Sequence, residues 1–166
     1  SCQYIYEMIA NGSAGRPKLY MTYVWNGVYT TGDCERNRNI LCNEEYIPFI
    51  VAVDVAMSET SECADLILPD ATYLERWALE STQSYAMIPF LQIRQPIAAP
   101  LGEAMDMQDI FIQLAQRIGG GIAELHPYKT AEEYIEACIR LQAEDNARQG
   151  KSFYTVEGNP LLDDPW

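Results

Sequence analysis

The sequence predicts an α/β fold: a mainly parallel β-sheet covered by helices on both faces, in a three-layer α/β/α arrangement. Two observations predict this fold. Residues 47–53 are apolar almost without a break, which is typical of a strand buried on both faces of a parallel sheet. Segments with helical spacing alternate with segments of strand composition through the first half of the chain, which is the order of βαβ units.

The composition limits the classes of function. A chain of 166 residues, 48% of them apolar, is long enough for one globular domain. We assign residues 1–121 to its α/β core and 122–166 to a C-terminal helix and extended tail of the same domain. The net charge of −13 argues against a nucleic-acid or anionic membrane surface as partner, because no basic face is available to neutralise phosphates. A small anionic cofactor stays compatible with this charge. The sequence has no run of about 18 apolar residues, so we expect no direct membrane insertion.

The first segments fit helix, strand, helix and strand in that order. Residues 2–10 carry apolar side chains at helical spacing, and an Asn-Gly pair predicts the helix end. Residues 18–25 have the β-branched and aromatic content of a strand. The polar residues 33–45 fit a surface crossover helix that leads into the apolar strand at 47–53. Together these segments predict a βαβ unit.

Polar side chains follow both strands of this unit. Asn26 comes after the first strand and Asp54 ends the second. Because parallel strands finish at the same edge of a sheet, we expect both side chains on one rim, where open α/β sheets bind ligands. Residues 58–62 supply hydroxyls and carboxylates at the start of a short helix. The hydroxyls, with Ser58 and Thr60 as the rim candidates, either cap the helix, which is the commoner use, or hold a phosphate together with exposed N–H groups. Asp54 is likewise either a ligand contact or an ordinary cap or loop carboxylate.

The later segments are less regular. Residues 64–68 predict a short third strand, and residues 71–79 are mixed in character and fit a helical turn near the same rim. Residues 85–95 are apolar enough for a strand that its proline confines to a sheet edge, and residues 96–100 form a linker.

Two amphipathic helices are predicted in the C-terminal part. The first ends at residues 119–121, and its expected inward face consists of Ile110, Phe111, Leu114 and Ile118. The second begins at a capping box formed by Thr130 and Glu133. Its expected inward residues are Tyr134, Ile135, Cys138 and Leu141. From residue 146 onward we expect an extended tail.

The cysteines predict no metal site. They are odd in number and widely spaced, and they include no C-x-x-C pair, so the sequence contains neither a zinc nor an iron–sulfur motif. We interpret most of them as small core or surface thiols. They are Cys2, Cys34, Cys42, Cys63 and Cys138.

These residue patterns do not define a reaction. No G-x-G-x-x-G motif follows the first strand, which disfavours the dinucleotide-binding domain of a nicotinamide enzyme. The single histidine, His126, precedes Pro127 in an expected exposed loop, so no Ser/His/Asp or Cys/His arrangement is predicted. A solvated helix face explains the pair Glu59 and Glu62 better than acid–base chemistry does. We predict no catalytic residue in this chain.

A specific resemblance is carried by the segment FIVAVDVAMSETSECADLILPDATYLER. It is similar to the signature of molybdopterin oxidoreductases of the dimethyl sulfoxide reductase family. In that family an apolar strand ends in Asp, and a turn rich in hydroxyls, an Ala-Asp pair, an aliphatic triplet with Pro, and a Glu follow. The matching positions here are Asp54, Ser58-Glu59-Thr60, Ala64-Asp65, Leu66-Ile67-Leu68-Pro69 and Glu75. Upstream, Asn26 matches a family Asn, although Gly27 replaces the usual Pro. The similarity spans about residues 17–120.

The resemblance implies a cofactor and a set of contacts. Family members bind molybdenum through two molybdopterin guanine dinucleotides, and the region similar to this chain surrounds one nucleotide end, in a fold like that of formate dehydrogenase and dimethyl sulfoxide reductase. Asp54 would accept hydrogen bonds from guanine or ribose. Ser58 and Thr60 would hold the guanosine or diphosphate portion. The implied cofactor-binding residues are Trp25, Asn26, Asp54, Ser58, Thr60 and Glu75.

The resemblance also implies what surrounds this chain. The family's iron–sulfur cysteines, molybdenum ligand and C-terminal β-barrel have no counterpart here, and the chain begins at Ser1 without Met, so we expect an inactive fragment of a larger prokaryotic enzyme. Its expected partners are the missing domains and an iron–sulfur electron-transfer subunit. The parent would carry out two-electron or oxygen-atom-transfer chemistry, similar to polysulfide, thiosulfate, tetrathionate or arsenate reductases, in the periplasm or the cytoplasm. The alternative is a non-catalytic α/β nucleotide-binding or interaction module.

Overall fold

A computed structural model describes residues 4–13, 15–80 and 92–150. The chain divides into two compact units. The first comprises residues 1–72 and 99–107, and the second comprises residues 73–98 and 108–166. The assignment of residues 1–121 and 122–166 to one domain stays a prediction.

The first unit contains the predicted parallel sheet. Its strands are β1 (Tyr20–Tyr23), β2 (Ile50–Asp54) and β3 (Leu66–Pro69), in the order β1-β2-β3. Both neighbouring pairs are parallel, with Tyr20 opposite Ile50 and Val51 opposite Leu66. The βαβ prediction is confirmed. The strand predicted at residues 47–53 begins only at Ile50, because Ile47 lies in a turn and donates its N–H to the carbonyl of Asn43 at 3.0 Å.

Three helices accompany this sheet. Helix α1 (Ile5–Asn11) ends at Gly12, whose φ of 74° suits a residue without a side chain. Helix α3 (Cys34–Leu41) begins at Asp33, whose carboxylate accepts the N–H of Arg36. A four-residue helix α2 (Gly27–Thr30) was not expected from the sequence.

The core of the first unit lies between helices α1, α2 and α3 and strand β2. Its buried members are Tyr6, Ile9, Val28, Ile40, Leu41, Ile47 and Ile50. Val51, Ala52 and Val53 are buried as well, so every β2 residue before Asp54 is inaccessible to water. The apolar run thus forms a central strand, as predicted, and a strand held on both edges fixes the position of Asp54.

The second unit contains a two-stranded antiparallel sheet, β4 (Ala78–Glu80) and β5 (Gln92–Arg94). The predicted helical turn within residues 71–79 is only a turn at 73–76, and the segment continues as β4. The strand predicted at 85–95 falls largely outside the described residues, and its described end is β5.

Helices α4 (Met107–Ile118), α5 (Gly120–Leu125) and α6 (Ala131–Arg148) follow. The glycines at 119–121 end α4 as predicted, yet Gly120 also starts α5, which the sequence did not suggest. The capping box is confirmed, since the Thr130 hydroxyl accepts the N–H of Glu133 at 3.2 Å. Helix α6 extends to Arg148, so the extended tail predicted from residue 146 is wrong for residues 146–148, and most of that prediction lies outside the described residues.

The predicted inward faces of α4 and α6 are partly wrong. Phe111 and Ile118 are 43% and 66% exposed, and Leu141 is 57% exposed. The buried residues of α6 are instead Ala131, Ile135, Ile139 and Ala143, spaced by four. Leu141 lies on the other side of this stripe, because two positions turn an α-helix by about 200°.

Cys42 and Cys63 form a disulfide, so the interpretation of most cysteines as free thiols is wrong for this pair. The fold brings their Cα atoms within 5.3 Å although 21 positions separate them. Cys34 and Cys138 are free, and Cys2 lies outside the described residues. Within the described ranges, no helix is long and apolar enough to span a bilayer.

Candidate functional site

The candidate site is the edge of the sheet where the parallel strands end. We define the rim as Asn26, Asp54 and residues 58–61. Strand β2 ends with the half-buried Asp54, and the short turn 58–61 that follows leads into a 3₁₀ helix (Ser61–Cys63). The rim therefore combines two carboxylates, one amide and a hydroxyl-rich turn at the place where open α/β sheets bind ligands.

The Asp54 carboxylate is held by its own neighbours. One oxygen accepts the N–H of Val55 at 2.8 Å. The other lies 3.4 Å from the Ser58 hydroxyl and 3.3 Å from the Ser61 hydroxyl, and these two hydroxyls lie 2.7 Å apart. Two hydroxyl hydrogens cannot serve three contacts, so one contact always lacks its proton. Whichever contact lacks a proton, at most these three donors reach the carboxylate, whose two oxygens accept about four hydrogen bonds, so acceptor capacity remains for a further donor.

Asp70, the carboxylate that follows β3 at the same edge, differs from Asp54 because it is buried. Its N–H binds the carbonyl of Asp54 at 3.0 Å. It is 3% exposed, and its carboxylate accepts the N–H of Met107 at 3.1 Å. Of these two strand-end carboxylates, Asp54 is the one accessible to a ligand.

The capping interpretation that the sequence left open applies to the Ser58 hydroxyl but not to that of Thr60, which is the N-cap residue of the 3₁₀ helix and forms no side-chain cap bond. The Ser58 hydroxyl accepts the N–H of Ser61 at 3.2 Å, and the Ser58 carbonyl accepts the N–H of Glu62 at 2.9 Å. The same hydroxyl also lies near the Asp54 carboxylate, and Ser58 is only half-buried, so a ligand can reach it. Capping and ligand contact are therefore compatible at this residue.

Asn26 connects the end of β1 to the same turn. Its side-chain oxygen accepts the N–H and the hydroxyl of Thr60, at 3.3 and 3.0 Å, and its side-chain nitrogen donates to Glu59. The prediction that Asn26 and Asp54 share one rim is thus confirmed, since Asn26 binds the middle of the turn and Asp54 binds its two serines. Glu59 is exposed, as expected, but it is also the partner of Asn26. This hydrogen bond holds the pKa of the Glu59 carboxyl below its usual value.

Thr60 lies inside the protein. It is 0% exposed, its hydroxyl donates to Asn26, and the same oxygen accepts the N–H of Val28 at 3.0 Å. The N–H of Val28 belongs to the first turn of α2 and has no partner within that helix. Thr60 therefore joins the turn to α2, and this hydrogen bond stabilises the short helix together with the burial of Val28 in the core.

Trp25 stacks on Tyr6 beneath the rim, with ring centroids 6.0 Å apart and planes within 6°. A Cβ atom at position 27 would lie 2.4 Å from the Tyr6 hydroxyl oxygen and 2.7 Å from the Trp25 ring, both far below contact distance. The Trp25–Tyr6 pair thus requires glycine, which explains why Gly27 replaces the proline expected from the resemblance. Burial raises the pKa of both Tyr6 and Tyr20, so these phenols stay neutral.

The sequence patterns did not single out two residues that matter in this region, Ser61 and Val24, and the structure leaves the role of a third, Glu75, undetermined. Ser61 is 1% exposed and contacts Asp54, and its spacing of three from Ser58 was the available signal. Val24, at the end of β1, has a φ of 44°, a strained value for a β-branched residue that no sequence pattern reveals. Glu75 lies in the second unit, in the turn 73–76, and its role stays a prediction.

The fold and the rim together define an α/β unit whose parallel strands present polar groups at their carboxyl ends, the arrangement of cofactor- and nucleotide-binding domains. The sequence profile of the molybdopterin oxidoreductase family matches residues 14–117. The chain belongs to this family. The match includes the whole rim.

Individual relatives agree with this assignment. The chain is 32% identical over 147 residues to a dimethyl sulfoxide/trimethylamine N-oxide reductase of Rhodobacter capsulatus, which covers 88% of this chain and 17% of that protein. It is 30% identical over 88 residues to a selenate reductase of Mesobacillus selenatarsenatis, covering 48% of this chain and 8% of that protein. The chain thus spans less than a fifth of the length of these relatives.

The fold also has a counterpart among solved structures. Acetylene hydratase from Pelobacter acetylenicus aligns with a TM-score of 0.59 and 24% identity, over 77% of this chain and 17% of that protein. At this identity the likeness shows the fold alone. It supports the mixed α/β architecture with its parallel sheet.

Proposed function

We propose that this chain is part of the catalytic subunit of a molybdenum-dependent oxidoreductase, and that its rim binds the guanine end of one molybdopterin guanine dinucleotide. The observation that carries the proposal is the accessible Asp54 carboxylate at the end of the central strand, with acceptor capacity left over. It lies within the segment that matches the family.

The donor and acceptor pattern of the rim fits guanine. A carboxylate accepts two parallel hydrogen bonds from adjacent donors, and guanine presents such donors in its N1–H and its amino group. The Ser58 hydroxyl, beside Asp54, suits a ribose hydroxyl or the base. Both side chains are held in place, since Asp54 ends β2 and the Ser58 hydroxyl accepts the N–H of Ser61 at the start of the 3₁₀ helix.

The charge of the rim favours the base and ribose over the diphosphate. Asp54 and Glu59 both contribute negative charge, and the depressed pKa of Glu59 keeps its carboxyl ionised. Two carboxylates repel a phosphate group and attract hydrogen-bond donors. We therefore place guanosine at the rim, and we assign the diphosphate to no rim residue.

Three other predicted site residues, Asn26, Thr60 and Trp25, support the rim instead of contacting the nucleotide. Thr60 and Asn26 fix the turn to α2 and β1, and Trp25 packs against Tyr6 below it. These residues position Ser58 and Asp54, and Thr60 in particular contributes no free hydroxyl. The bound molybdenum cofactor would supply two-electron or oxygen-atom-transfer chemistry, while the residues of this chain bind and orient its nucleotide end.

The finer features of the parent enzyme belong to the same proposal. They comprise a three-layer α/β/α domain, an iron–sulfur cluster and an iron–sulfur partner subunit. The names of the selenate and dimethyl sulfoxide/trimethylamine N-oxide reductase relatives support removal of oxygen from an oxyanion or oxide. Polysulfide, thiosulfate, tetrathionate and arsenate remain substrate candidates. The Cys42–Cys63 disulfide favours the periplasm over the cytoplasm, since disulfides persist in oxidising compartments.

The composition of the purified full-length polypeptide tests this proposal. We expect molybdenum together with guanosine monophosphate released by acid hydrolysis. Folded polypeptide that contains neither metal nor guanine nucleotide would contradict the proposal. That result would leave the non-catalytic α/β binding or interaction module as the function of this chain.

A further inference from the structure

We propose that the Cys42–Cys63 disulfide is a redox-responsive clamp on the rim. In its oxidised form it holds the turn that presents Ser58 and Ser61 to Asp54, and its reduction loosens that turn. The order of the rim then depends on the thiol redox conditions around the protein. This inference rests on the covalent geometry of the first unit and not on the identity of the ligand.

The disulfide joins the end of helix α3 to the 3₁₀ helix that follows the rim. Cys42 is the C-terminal cap of α3, and Cys63 is the last residue of the 3₁₀ helix. The N–H of Cys63 binds the carbonyl of Thr60 at 3.1 Å, and the N–H of Ala64 binds that of Ser61 at 3.0 Å. The covalent link at Cys63 is therefore two positions along the chain from Ser61, whose hydroxyl contacts Asp54.

Besides the disulfide, apolar packing connects α3 to the residues after the turn, since Cys63 and Ala64 pack against the core cluster that includes Ile40 and Leu41. Arg38 of α3 forms an ion pair with Glu62 at 3.1 Å, but both side chains are about half exposed, at 49% and 54%. Water screens such a pair, so its contribution is small. Among the described residues, the disulfide is the cross-link between the crossover helix and the rim, and its loss leaves residues 61–64 joined to α3 only by apolar packing and this exposed ion pair.

The disulfide is accessible to a reductant. Cys42 is exposed and Cys63 is half-buried, so we assign the first attack by a thiolate from solvent to the sulfur of Cys42. A dithiol supplies both electrons. Its first thiolate forms a bond to the Cys42 sulfur and displaces the Cys63 thiolate, and its second thiolate then closes a ring and releases the Cys42 thiolate. The products are two cysteine thiols, once each thiolate takes up a proton, and one cyclic disulfide formed from the dithiol.

Hydrogen exchange on the full-length polypeptide, before and after reduction with dithiothreitol, tests the clamp. We expect mass spectrometry of the untreated protein to find the peptides of Cys42 and Cys63 linked. On reduction, the amides of Ser61, Cys63 and Ala64 are expected to exchange at least about tenfold faster, because a loop constraint is lost. The amides of Val51 and Val53 in central strand β2 are expected to keep their rates.

Variants separate the clamp from a general effect of reductant. In the Cys34→Ser variant, which removes an exposed thiol outside the disulfide, the response to dithiothreitol is expected to persist. The double variant Cys42→Ser/Cys63→Ser is expected to exchange rapidly at residues 61–64 and to ignore the reductant. If the double variant does not fold, the hydrogen exchange of residues 61–64 in oxidised and reduced wild type alone tests the clamp.

Unlinked peptides in untreated protein, or equal exchange before and after reduction, would overturn the inference. Both readouts work on protein without cofactor. A failure here is therefore distinguishable from a failure of the proposed function, which depends on the metal and nucleotide content.

Discussion

The substitution Thr60→Val tests whether Thr60 holds the rim turn to helix α2. Valine has nearly the same shape as threonine but no hydroxyl, so it removes two hydrogen bonds without opening a cavity. The lost bonds are the one donated to the Asn26 side chain and the one accepted from the N–H of Val28. The Asn26 oxygen keeps the N–H of residue 60 as a partner at 3.3 Å, whereas the Val28 N–H keeps none.

The expected loss of stability follows from these two contacts. A hydrogen bond contributes about 0.5–1.5 kcal/mol net, and a buried donor left unpaired costs about 1–3 kcal/mol. Val28 is 2% exposed, so water does not replace the lost oxygen. We expect Thr60→Val to reduce the free energy of unfolding by about 2–4 kcal/mol, a large fraction of the total for a small domain.

Urea unfolding of the wild type, Thr60→Val and Thr60→Ser measures this loss. The serine variant keeps the hydroxyl and loses one buried methyl group, which costs about 1 kcal/mol. The valine variant is therefore expected to be clearly the less stable of the two. A valine variant as stable as the serine variant would refute the role of the hydroxyl.

Two further predictions concern the same unit. Gly27→Ala is expected to destabilise the chain by about 1–3 kcal/mol in urea unfolding, because its Cβ would lie 2.4 Å from Tyr6. The control Gly121→Ala has nothing within 4 Å and is expected to be neutral or stabilising, so equal losses would contradict the packing argument. The pKa of Glu59 is lowered by folding, so its contribution to stability is fully present above about pH 4.5 and disappears as the pH falls through the folded pKa. Glu59→Gln is expected to remove the Glu59 contribution to the loss of stability at acid pH. If the pH dependence of unfolding is the same in the variant and the wild type, Glu59 makes no such contribution.

The sequence predicted the sheet and the rim because both depend on local patterns. The continuous apolar run of β2 is by itself a signal for a buried strand. Parallel strands connected by a helix end at the same edge of the sheet, so Asn26 and Asp54 were expected to lie near each other. The capping box at Thr130 is also a local signal, because its hydrogen bond spans only three residues.

Features that depend on distant contacts could not be predicted in this way. A pattern of hydroxyls does not show that Thr60 points inward while Ser58 faces Asp54, since Val28 and Asn26 decide it. The pairing of Cys42 with Cys63 requires the complete βαβ unit to bring both ends together. In α6, hydrophobicity favoured Leu141 over Ala143 as a core residue, although the helix buries the alanine.

The central claim is that Asp54 holds a guanine nucleotide, and the nucleotide content of two matched variants tests it most directly. Asp54→Asn removes the charge of the strand-end carboxylate and leaves that of Glu59 in place. Asp65→Asn makes the same change at the opposite edge, where the Asp65 carboxylate accepts the N–H of Ile50 at the start of β2.

Full-length wild type and both variants would be purified in parallel, and guanosine monophosphate released by acid hydrolysis would be measured per polypeptide. A charge-assisted hydrogen bond is worth about 1.5–3 kcal/mol, so we expect the Asp54→Asn variant to bind the nucleotide roughly 10- to 150-fold more weakly and to retain less of it. Asp65→Asn is expected to match the wild type. Equal guanine content in all three proteins would contradict the assignment of Asp54.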